Sequence, residues 1–359
     1  MRYVGALVTV VLLVVCAPAQ AKVACDDGAT AFVDGKLRIF GVHYRTPDER
    51  GFEEYACLGR RMKPLYVGGV GSDTGVGSAD TPEYAHAGRF LADYSQSDGE
   101  GGPSSHVTVV DLVRRRSVSF MNLACCEGVP PLRLAADGTV AVLAPGDGVL
   151  VKAPGRRARA LSGEDARDLA MHGGTVYWTE GGRARSATLD GVGGGEATAL
   201  EPVRLRRRGG TCAAARGRTI AASGSVRVYE TGDGRFACRV DGRRPFALAG
   251  SSPPRIAGDR WLLAFGEGSA RVVDSRTGRT VTHALSVSRA TLLHDGTLPW
   301  IDRDGKAIAR SPGADPVILA TGGASALAAA RRAVYWTEAG VPQVYRPPSS
   351  EARSASKPG

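Results

Sequence analysis

The chain has 359 residues, of which 43% are hydrophobic and 23% charged, with 48 Gly and 20 Pro. That balance suits a globular protein and excludes a collagen-like or wholly disordered chain; the single long apolar run excludes a multi-span membrane protein. The formal net charge is +10, from 46 Lys and Arg against 36 Asp and Glu.

Residues 1–21 read as a signal peptide. Arg2 supplies the basic n-region, Val10 to Val15 the apolar core, and Ala19-Gln20-Ala21 a small-x-small cleavage site. A secreted, extracellular protein is the expectation. Leu13-Val14-Val15-Cys16 also resembles a lipobox, so a membrane is expected as a partner only if Cys16 is lipid-anchored. Cleavage after Ala21 removes Cys16 from the 7 Cys and leaves an even set, which in an exported protein favours disulfides. Export disfavours nucleic acid as a partner. The short runs Arg114-Arg115-Arg116 and Arg206-Arg207-Arg208 are dispersed, which suits solvated loops; an anionic wall polymer is the sharper alternative.

Internal repeats dominate the rest of the chain. TVYWTEGGRARSATLDG begins at Thr175, TLPWIDRDGKAIARSPG at Thr297 and AVYWTEAGVPQVYRPP at Ala333, which aligns Trp178, Trp300 and Trp336. Fainter copies share the grammar of a β-rich run, a Gly turn, a second run and another turn. The second runs begin near residues 36, 89, 139, 175, 219, 260, 297 and 333. A period near 40 with three or four short strands is that of a β-propeller blade. The fold class is therefore all-β: a propeller of seven or eight blades of about 40 residues each. Lys22 to Asp26 would supply the missing outer strand of the last blade, closing the ring. Residues 22–345 form a single propeller domain, and residues 346–359 a disordered tail.

The VYWTE segments resemble YWTD-type propeller repeats and their shorter bacterial VYWT relatives, whose blades carry such a strand, a Gly turn and an LDG-like turn (here Leu189-Asp190-Gly191). Glu180 and Glu338 stand where YWTD repeats have Asp, and Asp302 keeps it in the partial copy. The resemblance implies a binding or scaffold role for an extracellular protein, without a particular ligand.

The mature cysteines are Cys25, Cys57, Cys125, Cys126, Cys212 and Cys238. YACLGRRMKPLYVG and FACRVDGRRPFALAG resemble each other, and each has a Cys upstream, so repeat symmetry pairs Cys25 with Cys57 and Cys212 with Cys238. The first and third strands of a blade lie about 9–10 Å apart, beyond disulfide reach, so the upstream Cys must sit in a connecting loop. Cys125 and Cys126 would remain for a vicinal disulfide. No CxxC or matching His spacing marks a metal site.

His86, His172 and His294 share a repeat position, but as turn residues of non-adjacent blades they are not expected to hold a metal. Trp178, Trp300 and Trp336, with Tyr177 and Tyr335, are expected as wedges between blades rather than sugar platforms; Trp261 is expected in the core. Gly-rich insertions at Val67 to Pro82 and Ser95 to Ser105 lengthen the early units and are the expected specificity region, the first as a flexible loop. The chain lacks GxSxG, HExxH, P-loop and GxGxxG motifs. No catalytic, cofactor-binding or metal residue is assigned. The expected protein is a monomeric exported binder or scaffold without cofactor, its partner an unknown protein or anionic wall polymer. The alternative is a hydrolase or lyase acting on a carbohydrate or lactone at the central channel.

Overall fold

Runs rich in Val, Ile, Leu and aromatics, punctuated by Gly turns, form antiparallel meanders. The computed structural model describes residues 23–45, 50–59, 62–72, 83–99, 102–123, 130–189, 198–200, 212, 217–240, 244–250, 252 and 254–348. Unit 1 comprises β1 (Ala29–Asp34), β2 (Leu37–Arg45), β3 (Arg50–Leu58) and β4 (Leu65–Ser72). Unit 2 has β5 (Glu83–Ala87), β6 (Phe90–Gly99), β7 (Gly102–Asp111) and β8 (Arg116–Leu123). Unit 3 has β9 (Leu132–Leu134), β10 (Val140–Ala144), β11 (Gly148–Lys152) and β12 (Arg159–Ala160). Unit 4 has β13 (Arg167–His172), β14 (Thr175–Glu180) and β15 (Arg183–Thr188), and β16 (Thr198–Leu200) follows it. Unit 5 has β17 (Arg218–Ser223), β18 (Val226–Thr231), β19 (Gly234–Arg239) and β20 (Phe246–Ala247). Unit 6 has β21 (Arg255–Ala257), β22 (Trp261–Gly266), β23 (Ser269–Asp274) and β24 (Arg279–Leu285). Unit 7 has β25 (Val287–Ala290), β26 (Leu298–Asp302), β27 (Ala307–Arg310) and β28 (Val317–Ala320). Unit 8 has β29 (Ala324–Ala329), β30 (Val334–Glu338) and β31 (Val341–Tyr345).

The protein is thus all-β and propeller-like. The expected second strands at 36, 89, 139, 175, 260, 297 and 333 begin within one residue of β2, β6, β10, β14, β22, β26 and β30. The marker at 219 instead falls on β17, the first strand of its unit. Strands such as β10 lack polar alternation because both faces are packed. Val140 and Val142 join unit 2 through Val107 and Val109, while Ala141 joins unit 4 through Leu169 and Trp178. Trp178 and Trp336 are wedged between neighbouring units, and Trp261 and Trp300 meet in one such core.

The packing order departs from a sequential ring. Units 1, 2, 3 and 4 pack in succession. Unit 4 then packs on unit 8 through Ala170, Tyr177, Ala328 and Tyr335. From there the order runs back through units 7, 6 and 5. Units 5 and 1 join edge to edge: β1 pairs antiparallel with β17, Val33 opposite Ala222, to make one eight-stranded sheet. The expected closing strand at 22–26 is therefore not part of the last unit. The β29–β31 sheet has three strands among the described residues, and Cys25 lies beside β2 and β3 of unit 1.

The two halves are copies. Arg38 Nη1 donates to the Cys25 carbonyl, and Arg227 Nη1 donates to the Cys212 carbonyl at 2.7 Å. Phe40 stacks on Tyr55 with centroids 5.8 Å apart, as Tyr229 does on Phe236 at 5.8 Å. Asp168 and Ala326 occupy matching bulges with φ of 56° and 52°. The contact between units 4 and 8 is reciprocal: Tyr177 OH meets Thr337 Oγ1 at 2.9 Å, and Tyr335 OH meets Thr179 Oγ1 at 2.7 Å. Four units and their repeat therefore pack about an approximate two-fold axis.

Among the described residues, this arrangement leaves one face of unit 1 and one of unit 5 without a neighbouring unit. Disulfides Cys25–Cys57 and Cys212–Cys238, with Cα separations of 6.0 and 5.6 Å, tie the preceding segments over those faces. Cys25 lies in a turn before β1 and Cys212 at a helical residue before β17, so both upstream cysteines sit outside the blade strands, the second in a helix rather than the expected loop. Cys125 and Cys126 lie outside the described residues, as do the signal peptide, Arg206 to Arg208 and residues 73–82. Two other expectations change. Most of Ser95 to Ser105 is strand, since its register continues the β6–β7 ladder to Gly99 opposite Gly102. Likewise Val67 to Ser72 belongs to β4. Arg346, assigned to the tail, is held by Asp168 Oδ2 at 2.6 Å and Thr179 Oγ1 at 2.7 Å.

Candidate functional site

The halves differ most in the hairpins of units 1 and 2. β2 and β3 have 9 residues each and β6 and β7 have 10, whereas β18, β19, β22 and β23 have 6. The extra residues lengthen two neighbouring sheets, and strand alternation decides which side chains face each other. On unit 1, Ile39 and Ala56 point into the core shared with unit 2. Gly41 and Glu54, then His43 and Phe52, continue that face outward. On unit 2, Leu91 points toward unit 1. Asp93 with Thr108, Ser95 with His106, and then Phe120 and Asn122 on β8 extend its face.

Two carboxylates from opposite walls occupy the base. Glu54 is 3% exposed and Asp93 6%. Tyr84, fully buried on β5, donates its hydroxyl to Glu54 Oε2. Asp93 also reaches β4, since a Cβ at Gly68 would stand in ordinary contact with Asp93 Oδ2, at 3.9 Å. A buried carboxylate needs such hydrogen bonding to remain in the fold.

Above the acids each wall carries an imidazole–phenyl pair. His43 and Phe52 have centroids 6.1 Å apart, and His106 and Phe120 4.8 Å apart. Phe120 is 48% exposed, so this end of the unit 2 face lies at the protein surface. His106 Nε2 hydrogen-bonds Ser95 Oγ at 2.8 Å, and burial lowers the imidazole pKa, favouring the neutral base.

Behind this wall, Tyr66 is 57% exposed and packs edge-on to Tyr55 at 6.0 Å. Tyr55 donates to Glu53 Oε2 at 2.5 Å, and burial, then Glu53, pushes its phenol up to about 12. Burial and the carboxylates of Glu53, Asp93 and Glu54 also raise the Tyr66 pKa. The arrangement combines flat apolar surfaces, hydroxyls and acceptors, which is the chemistry of a small polar ligand site.

The residues singled out in sequence lie elsewhere. His86 sits between Asp34 Oδ2 at 2.7 Å and the Gly88 carbonyl at 2.9 Å. His172 Nε2 accepts from Arg289 Nη1 at 2.7 Å, and His294 lies beside Gly258. The three phased histidines therefore have separate surroundings. Arg115 donates to the Lys63 and Pro64 carbonyls, and Arg114 lies 3.8 Å from Asp111, so two of that Arg run are tied into the fold. Glu54, Asp93, Phe52 and Phe120 carried no repeat phase and escaped notice. Their one sequence signal was the length of the first two units.

No family model matches the chain, and no curated protein does. Among solved structures, a eukaryotic initiation factor is similar at 10% identity over 86% of this chain and 88% of its own, with a TM-score of 0.29. A structure of Hsv2p from Kluyveromyces lactis is 11% identical over 90% of this chain and 98% of its own, at 0.26. The Kluyveromyces lactis Hsv2 structure with complete loop 6CD is 9% identical over 75% and 98%, at 0.25. TM-scores this low carry no argument about function.

Proposed function

We propose that the protein is an exported binding protein of eight propeller-type blades in two rows of four, which takes its ligand between the long hairpins of units 1 and 2. The observation that carries this reading is the pair of buried acids, Glu54 and Asp93, on facing walls below the half-exposed Phe120. Two disulfides suit an oxidising compartment, in keeping with a signal peptide at residues 1–21. The matching VYWTE strands β14 and β30 support kinship with YWTD-type repeats. Recovery of the mature chain from culture medium, with an N-terminus at Lys22, tests export. Retention of the chain on isolated cell envelopes tests binding. The double variant Phe52→Ala/Phe120→Ala should release it, while Ile318→Ser on unit 7 should not; equal retention of all three sinks the reading.

One contact favours a second reading, hydrolysis. Ser95 and His106 stand in hydrogen-bond reach, as a nucleophile and base would. Labelling of Ser95 by a fluorophosphonate, lost in His106→Ala, would support it; an unlabelled Ser95 would remove it.

A further inference from the structure

We infer that the outer surface where units 3 and 4 meet docks a linear phosphate polymer of the polyol phosphate type, held by the guanidinium groups of Arg159, Arg183 and Arg185. This surface is separate from the hairpins of units 1 and 2 and does not depend on what they bind.

The edge strands β12 and β15 carry the three arginines. Val151 and Trp178 belong to the core shared by units 3 and 4. Arg159 stands opposite Val151, Arg185 opposite Trp178 and Arg183 opposite Glu180, so strand alternation puts all three on the faces that the two units turn to each other. Glu180 joins the two sides: Oε1 accepts from Gly163 N, just beyond β12, at 3.1 Å, and Oε2 lies 3.7 Å from Arg185 Nε. The three arginines are exposed, as are Arg156 and Arg157 in the connection that leads into β12. Among the described residues, Glu180 is the one carboxylate that pairs with any of these five side chains. An exposed pair of that kind contributes little, so the cluster can take an outside anion without breaking into the fold.

The other half of the chain shows that the fold does not require these cations. The segments beginning at Thr139 and Thr297 align without a gap through Trp178 and Trp336. The registers repeat as well, with Val317 opposite Ala309, Val341 opposite Glu338 and Gln343 opposite Trp336. Val317, Val341 and Gln343 thus stand where the first half has Arg159, Arg183 and Arg185, and Ala314 and Asp315 where it has Arg156 and Arg157. The ligand class follows from what surrounds the charges. Guanidinium forks match phosphate oxygens bidentately, and a row of them suits a repeating anion. Tyr177 and Trp178 on β14 are buried, so they offer no face on which a base or a sugar ring could stack; a ring-free polyol phosphate needs none.

The test uses the full chain with its disulfides intact, captured on immobilised poly(glycerol phosphate) and followed by interferometry. Affinity should fall about ten-fold or more between about 50 and 200 mM salt, since three neutralised phosphates release counterions. The same salt leaves stacking on Phe52 and Phe120 in place, which keeps the two sites distinguishable. The repeat swap Arg159→Val/Arg183→Val/Arg185→Gln installs residues that the other half already carries. It should weaken capture about ten- to a hundred-fold and leave the thermal midpoint where it was. The control Arg116→Gln/Arg276→Gln/Arg279→Gln removes the same charge from other exposed positions and should lose less than about two-fold. Equal losses in the swap and the control would reduce the effect to net charge and overturn the site. Tighter capture on heparin or oligo(dT) than on poly(glycerol phosphate) would overturn the ligand class, and no capture on any of the three would overturn both.

Discussion

Replacing Tyr335 by Phe removes one oxygen from the junction between units 4 and 8 and keeps the ring stack with Tyr177, whose centroid is 5.9 Å away. Tyr335 is fully buried, and its hydroxyl bonds the buried Thr179 Oγ1 at 2.7 Å. Thr179 retains Arg346 Nη2 at 2.7 Å, so the variant leaves no orphan oxygen. The loss at neutral pH should then be about 1 kcal/mol, the net value of one buried hydrogen bond. The pH dependence is more diagnostic. Burial pushes the Tyr335 phenol up to about 12, whereas the unfolded phenol titrates near 10. A raised folded pKa stabilises fully below about pH 10 and loses that contribution as pH rises through about 12, a swing of about 2–3 kcal/mol. Tyr335→Phe lacks this titration. Urea unfolding followed from pH 8 to 12 should show the wild type falling more steeply, with the two curves meeting between pH 10 and 12. Parallel curves over that range, or a variant as stable as the wild type at pH 8, would refute the buried junction.

Opening either disulfide by Cys57→Ser or Cys238→Ser should cost about 3–4 kcal/mol by loop entropy, for separations of 32 and 26 residues; unchanged urea midpoints would contradict the clamp. Gly296→Ala places a Cβ 2.5 Å from Trp261 at a φ of +86°, and its counterpart Gly138→Ala places one 3.0 Å from Phe90 at +90°. The first should destabilise by about 2–4 kcal/mol and exceed the second, as thermal melts of the pair will show. Burial lowers the His106 pKa, so the unfolded chain takes up the proton first. Stability should decline as pH falls below about 6.5 and level off beneath the folded pKa; His106→Gln should flatten that decline, and an identical slope would remove the assignment.

The sequence carried the strand rhythm well because each second strand is an apolar run between Gly turns, such as Val140 to Ala144 after Asp137-Gly138. It also held both disulfides, since the Cys-bearing third strands β3 and β19 are visible copies. The same copies signalled the duplication, but their spacing looked like one more repeat among eight. Which unit packs on which depends on side chains such as Tyr177 and Tyr335, whose apolar bodies suit any blade neighbour. Their reciprocal bonds to Thr337 and Thr179 appear only in three dimensions. The candidate site was hidden for a related reason. Glu54 and Asp93 are ordinary acids in sequence, and only the β2–β3 and β6–β7 registers turn them onto facing walls. Ser/Gly-rich Ser95 to Ser105 read as an insertion rather than as strand because its ladder is satisfied by backbone bonds that composition does not disclose.

The two-fold packing of the halves is the central claim, and the β1–β17 seam tests it most directly. Val33 and Ala222 are directly opposed across that seam, at a spacing that cross-strand side chains can bridge. The double variant Val33→Cys/Ala222→Cys, oxidised and mapped by peptide mass spectrometry, should yield a 33–222 crosslink within one chain, alongside the native Cys25–Cys57 and Cys212–Cys238 bonds. A sequential ring, with unit 4 packed on unit 5 and unit 8 on unit 1, would leave both new thiols free with the native pairs intact.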